Sequence, residues 1–253
     1  MSRIYLINIG ANTAHQHLAR SPIFEDGRFV YISFPDEDGR QDYPTTMRQF
    51  LSPTCPSRTH LDPDWDHVTY GDNCKNPRAS ALRKAERNDV LLFWALLWGS
   101  DRDGWNSWTG KRGWYLIGAI RIEEILEAGD SLANAKPENR ERASHNAHVI
   151  QHSIRKASRH RIDRVFIGFK KHSRLFASAV DLEIGRDGGL FQRTILTADG
   201  APVGWDSPPR WNSVTRSCRA VWDLNDPMER KRANEIRKAI KKGNPDFDLL
   251  AGL

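Results

Sequence analysis

Nine consecutive apolar residues, Val90 to Trp98 (VLLFWALLW), constrain this chain more than any other stretch. A segment without a polar face must be buried on every side, as an inner strand of a sheet is. A core helix of that length would meet the same demand. The aromatic content and the turns on either side, Arg87-Asn88-Asp89 and Asp103-Gly104, favour a strand. Trp114 to Ile125 (WYLIGAIRIEEI) reads as its partner, turning polar towards its end. Gly118 in its interior marks a bulge or a bend. The pair between Asn88 and Leu126 is therefore expected to anchor an α+β fold.

Arg3 to Ile9 (RIYLINI) and Arg28 to Phe34 (RFVYISF) predict two further strands of one sheet, the second closed by Pro35. From Asp36 to Asp66 the chain turns to Pro, Asp, Ser and Thr, which predicts an irregular excursion with one short helix around Thr45 to Leu51. Asn76 to Glu86 predicts a helix with Ala79, Leu82 and Ala85 on one face, and Pro137 to Ser144 another behind a suitably placed proline. Arg164 to Phe169 (RVFIGF) is a strand, Val180 to Ile184 continues the sheet, and Trp205 to Ser213 is a Pro and Trp loop. Asp226-Pro227-Met228-Glu229 has the form of a capping box and opens a last helix that stops near Gly243. These elements divide into one domain over residues 1–225 and a basic helix and tail over 226–253. No internal repeat or heptad is present.

With 253 residues, 39% of them hydrophobic and 28% charged, the chain can bury a core. The cysteines, Cys55, Cys74 and Cys218, are widely spaced and form no C-x-x-C, which suggests neither a disulfide framework nor structural zinc and fits a reducing compartment. The N-terminal apolar run is too short for a signal segment, and no stretch approaches the ~20 apolar residues of a membrane span. A cytoplasmic protein is expected. Its net charge of +6 favours an anionic partner. Part of that surplus lies in the last helix, whose charge run reads first as a solvated face, with a dock for an acidic protein as the alternative.

Five clusters could carry chemistry. The loop from Gly99 to Gly113 sets Trp105 and Trp108 among Arg102, Lys111 and Arg112, with Trp98 and Trp114 at its mouths; aromatic faces stack on bases while cations follow phosphates. Trp98 and Trp114 could instead simply cap the sheet. The loop after the first strand presents Asn12, His15, His17, Arg20 and Ser21. His15 and His17 lack a third ligand nearby, so no metal is expected there. His145, His148 and His152 would share a face if Ser144 to Ile154 is one helix, with His148, close behind Asn146, the preferred acid, base or donor. His172-Ser173-Arg174 follows the RVFIGF strand, and Tyr70-Gly71-Asp72 offers a hydroxyl and a carboxylate that could also form only a turn. Phosphate-loop, dinucleotide, esterase-elbow and zinc-protease signatures are absent.

IYLINIGANTAHQHLARSPIF at the N-terminus, TYGD at Thr69 to Asp72, NDVLLFWALLW followed by WYLIGAIRI, NAH at Asn146 to His148 and HSRLF at His172 to Phe176 together resemble one family. It is the third type of nucleotide-modification-associated domain, found in prokaryotes and phages, and the resemblance runs to about Asp226. Separately, Leu82 to Leu126 is similar to the PUA-like superfamily, whose EVE, ASCH and YTH members hold modified bases in an aromatic pocket. That second resemblance implies a small mixed β-barrel decorated with helices and long loops.

The expected function is recognition of a modified base, in DNA rather than RNA, or of a nucleotide, by a pocket needing no cofactor. Flipping a base costs a few kcal/mol, which stacking at ~1 to 3 kcal/mol per base offsets. Asn12, Arg20, Ser21, Tyr70, Asp72, Arg78, Trp98, Trp105, Trp108, Asn146, Ser173 and Arg174 are the candidate binding residues, and Arg102, Lys111 and Arg112 the backbone contacts. The alternative is an enzyme with His15, His148 or His172 as acid or base and Arg20 and Arg174 clamping phosphate. A subunit that binds only a protein partner is the third possibility.

Overall fold

The computed structural model describes residues 2–77, 79–127, 130–154, 163–204 and 218–251. Arg78 and the loop from Trp205 to Ser213 lie outside the described residues. Ten strands are defined among those described: β1 (Arg3–Asn8), β2 (Ser21–Ile23), β3 (Gln41–Asp42), β4 (Arg58–Thr59), β5 (Thr69–Asn73), β6 (Val90–Ser100), β7 (Trp108–Glu127), β8 (Asp163–Gly168), β9 (Arg174–Asp181) and β10 (Cys218–Asp223). The helices are α1 (Thr45–Arg48), α2 (Asp130–Asn134), α3 (Pro137–Ser144), α4 (Ala147–Ile154), α5 (Leu190–Thr194) and α6 (Pro227–Gly243).

The main sheet has the order β10-β1-β6-β7-β8-β5, with β2 beside β6 and β9 beside β7. This is a mixed α+β fold, and no closed barrel is seen among the described residues. β6 and β7 form the expected antiparallel hairpin, while β1 runs parallel to β6 along Val90–Trp94 and β2 along Leu97–Gly99. Every residue from Val90 to Trp98 is buried because both faces of the sheet are covered. Leu91, Phe93, Ala95 and Leu97 join Tyr5 and Ile7 in one core. Val90, Leu92 and Trp94 join Ile4, Leu6, Trp222 and the inner face of α6 in another. A continuous apolar run is thus two alternating sets, each facing its own core.

Gly118 shifts that alternation. Before it Ile117 faces the first core and Leu116 the second; after it Ile120 and Ile122 face the first and Ala119 the second, so parity has changed by one residue. Register slips there against both β6 and β9, as a bulge requires. A Cβ at Gly118 would lie 2.4 Å from the Trp65 ring, so only glycine lets that ring close over the bulge.

Some predicted elements differ, among them the sheet segment expected at Val180–Ile184, which is the end of β9 (Arg174–Asp181). Arg28–Phe34 is not a strand: Ser21–Ile23 pairs with β6 instead, and Ile32 donates its N–H to the Ser21 hydroxyl (2.9 Å) and accepts at its carbonyl from the Ala11 N–H (3.0 Å) rather than pairing in a ladder. Asn76–Glu86 is a short 3-10 turn over Ser80–Lys84, with Ala79, Leu82 and Ala85 buried as that face demanded. Asp226 caps α6 by accepting from the N–H groups of Met228 and Glu229, but Glu229 reaches the N–H of Asp223 instead of closing a box on Asp226.

The end of the chain is tied back to α6 through Asp248, which accepts two hydrogen bonds from Arg237 and lies 3.3 Å from Lys241. These cations hold its carboxyl well below the usual range. A depressed carboxyl stabilises the fold above its unfolded pKa and loses that contribution as pH falls through the folded value. Asp248→Asn is expected to cost about 1 kcal/mol at neutral pH, with the difference from the parent narrowing in acid; denaturant titrations at several pH values measure it.

Candidate functional site

Beyond the C-terminal end of β1 the sheet opens into a cavity of about 550 Å³. Asn8, Gly10, Asn12 and His15 form one side, Phe34, Asp36, His60 and Asp62 another, and Tyr70 to Asn73 of β5 with His148 and Gln151 of α4 the remainder. That position follows from the topology, since parallel strands gather loops at their carboxyl ends. Gly10 has φ +78°, where a side chain is strained, and a Cβ there would lie 2.8 Å from the Tyr31 ring.

Three side chains from separate segments converge in this cavity. The Nε2 atoms of His60 and His148 are 3.2 Å apart, and Asp62 Oδ2 is 3.8 Å from His148 Nε2. All three residues are buried. Asp62 has its other oxygen fixed: Oδ1 accepts from the Gly71 N–H and from Asn146 Nδ2, both at 2.9 Å. Burial pushes the Asp62 carboxyl up to about 7, against the lowering pull of His148, the Gly71 N–H and the Asn146 amide. On its far edge His60 Nδ1 meets the Gln151 amide at 3.2 Å and faces Asp36 Oδ2 at 4.0 Å.

Asn146 organises the cluster. Its Oδ1 accepts from the His148 N–H (3.0 Å), capping α4, while its Nδ2 donates to Asp62 and to Thr69 Oγ1. That cap also breaks the predicted helix from Ser144 to Ile154, so His145 lies outside α4 and stacks on His67 at 3.9 Å. His148 and Gln151 remain three residues apart on one helical face and both line the cavity.

The remaining wall is aromatic and polar. His15, Phe34 and His60 stack in series, with centroids 5.6 and 4.9 Å apart. Burial, then the neighbouring His17, lowers the His15 pKa. Tyr70 donates to Asp72 Oδ2 at 2.7 Å, and burial together with Asp72 and Asp62 keeps its phenol protonated.

Of the residues singled out in the sequence, Asn12, His15, Tyr70, Asp72 and His148 line this cavity, with Asn146 directly behind it. Arg20 and the loop tryptophans form a different cluster: the guanidinium lies 5.0, 5.0 and 5.3 Å from the rings of Trp98, Trp105 and Trp108. Arg112 covers Trp98 at 5.2 Å, and Arg102, Lys111 and Arg112 are exposed. Ser21 is buried and bonded to Ile32. Ser173 accepts the Arg121 N–H, His172 sits against Phe169, and Arg174 lies over Phe247. His60, Asp62, Phe34, Asp36 and Gln151 were not singled out. Asp36, His60 and Asp62 belong to the irregular excursion, where His60-x-Asp62 was the available signal and its partner lies 88 residues away, while Phe34 ends the segment read as a strand.

Residues 3–233 match the family model described as nucleotide modification associated domain 3. The chain belongs to that family. No curated protein and no solved structure matches it. Membership gives a nucleotide-modification-associated role and an association with nucleic acid or nucleotide. No described helix is long and apolar enough to cross a membrane.

Two groups of described residues have the composition and spacing to hold a metal ion, His60 with Asp62 and His148, and the more exposed His67 with Glu141 and His145. Only the first lies in the cavity. Its geometry depends on Gly71, where a Cβ would be 2.6 Å from both Asn146 Oδ1 and His148 Cδ2. Gly71→Ala is expected to displace those side chains and destabilise the fold by about 1 to 3 kcal/mol. A thermal melt, with NMR of the His148 ring, checks this; an unmoved imidazole would contradict it.

Proposed function

We propose that this member of the family is an enzyme that acts on a nucleotide or a nucleobase in the course of base modification. One observation carries the proposal: two imidazoles and a carboxylate, all buried, turn their reactive edges towards one another in a cavity large enough for a base. Pockets of some 300 to 1,000 Å³ hold small-molecule ligands, and this one lies within that span. A purely structural cluster would have no need to face a cavity.

The surrounding groups suit such a substrate. His15, at the end of the stack, brings aromatic surface to a base, Asn12, Asn73 and Asn76 place amides in the wall, and the group of His60, Asp62 and His148 faces the same space. The tryptophan cluster is a less suitable base platform because Arg20 lies over its faces, and the exposed Arg102, Lys111 and Arg112 better serve a polynucleotide backbone. A modified-base reader remains the second reading, favoured by the His15-Phe34-His60 stack.

Incubation with modified and unmodified nucleotides and DNA, followed by mass spectrometry of the nucleosides, separates the two. Conversion is expected with the parent chain and is expected to fall about 100-fold or more in His148→Gln. Tight binding of a modified oligonucleotide without any change of mass would establish the reader instead.

A further inference from the structure

We propose that His60, Asp62 and His148 form a binding site for a divalent first-row transition-metal ion, zinc or ferrous iron. The inference deepens the preceding one, since it places the ion at the site assigned to the nucleotide or base. Metal bonds of about 2.0 to 2.2 Å set adjacent ligand atoms about 3.0 to 3.6 Å apart. The observed separation of the two imidazole nitrogens, 3.2 Å, already meets that spacing, and the Asp62 carboxylate, with Oδ2 3.8 Å from His148 and all three donor atoms within 4.8 Å of one another, closes on the ion by a side-chain adjustment of about 1 Å or less.

The donor set discriminates between ions. Two imidazoles suit zinc or iron, whereas magnesium and calcium favour oxygen throughout. Three protein ligands leave positions open for water or substrate on the cavity side, the arrangement of catalytic rather than structural sites.

Outer contacts orient the Asp62 and His60 ligands as metal sites require. Asp62 Oδ1 is held by Gly71 and Asn146, which leaves Oδ2 for the ion. His60 Nδ1 faces the Asp36 carboxylate and the Gln151 amide, either of which presents an oxygen to an Nδ1–H once the amide is suitably turned. His148 is fixed from its backbone, where the N–H donates to Asn146. The alternative group, His67 with Glu141 and His145, is more open, and His67 Nδ1 is already 2.7 Å from Asp64 Oδ2.

The test uses the untagged full chain, stripped with chelator and reloaded with zinc or, without oxygen, ferrous iron. Metal content by mass spectrometry is expected to reach a single ion per chain, with the melting temperature raised by several degrees. Asp62→Asn keeps an oxygen for Gly71 and Asn146, so it is expected to fold while weakening metal affinity about 100-fold or more. His145→Ala is expected to bind as the parent does. Failure of both ions to bind and raise the melting temperature overturns the proposal, as does loss of the ion in His145→Ala but not in Asp62→Asn. Nucleotide conversion that survives chelation undiminished overturns the metal site and leaves the enzyme standing. Stoichiometric uptake abolished by Asp62→Asn supports the metal site even where no nucleotide is converted or bound.

Discussion

Burial of β6 on both faces is the constraint from which the remaining architecture follows. A strand with no polar side needs a layer above and a layer below, and it needs neighbours along both edges to satisfy its backbone. β1 and β2 share one edge, each taking half its length, and β7 takes the other. Because β1 and β2 run parallel to β6, the chain cannot return through a tight turn. It must travel from residue 9 to residue 89 over the sheet end, and that long crossover supplies Asn12, His15, Phe34, His60, Asp62, Tyr70 and Asp72 to the cavity. The second layer, containing α6 and Trp222, supports the opposite face without entering the cavity.

Within the cavity, polar groups are placed by a small number of shared contacts. A buried carboxylate is costly unless its oxygens are bonded, and Asp62 meets this on one side with an amide and a backbone N–H. Its other oxygen is left directed towards the imidazoles. Gly71 makes the approach possible by carrying no side chain, so β5 contributes an absence of atoms to the geometry as well as a backbone donor.

The parts of this arrangement that could be read in the sequence are those set by local pattern. VLLFWALLW and its partner declared themselves by length and flanking turns, and Gly118 by interrupting a strand. Asp226-Pro227 marked a helix start because capping depends on neighbours in sequence. Arg28–Phe34 misled because β-branched and aromatic residues suit any half-buried extended chain, and only the nearby Ser21 hydroxyl shows that Ile32 is not in a ladder. The histidine stripe was misleading at His145 because Asn146 takes the capping role and starts a new helix. His60 and Asp62 were hidden for a different reason. Prolines and small polar residues give their segment no periodicity, and their meaning depends on a helix much later in the chain.

Asn146 joins two matters usually treated apart, the start of a helix and the holding of a charge. Its carbonyl oxygen fastens the first turn of α4 while its amide nitrogen fastens Asp62. Linkage is reciprocal, so to the extent that occupancy of the cavity firms the Asp62–Asn146 contact and with it the start of α4, a well-formed start of α4 favours occupancy by the same free energy. Occupancy of the cavity would then be recorded at a distance from it, as slower hydrogen exchange in the backbone amides of that first turn.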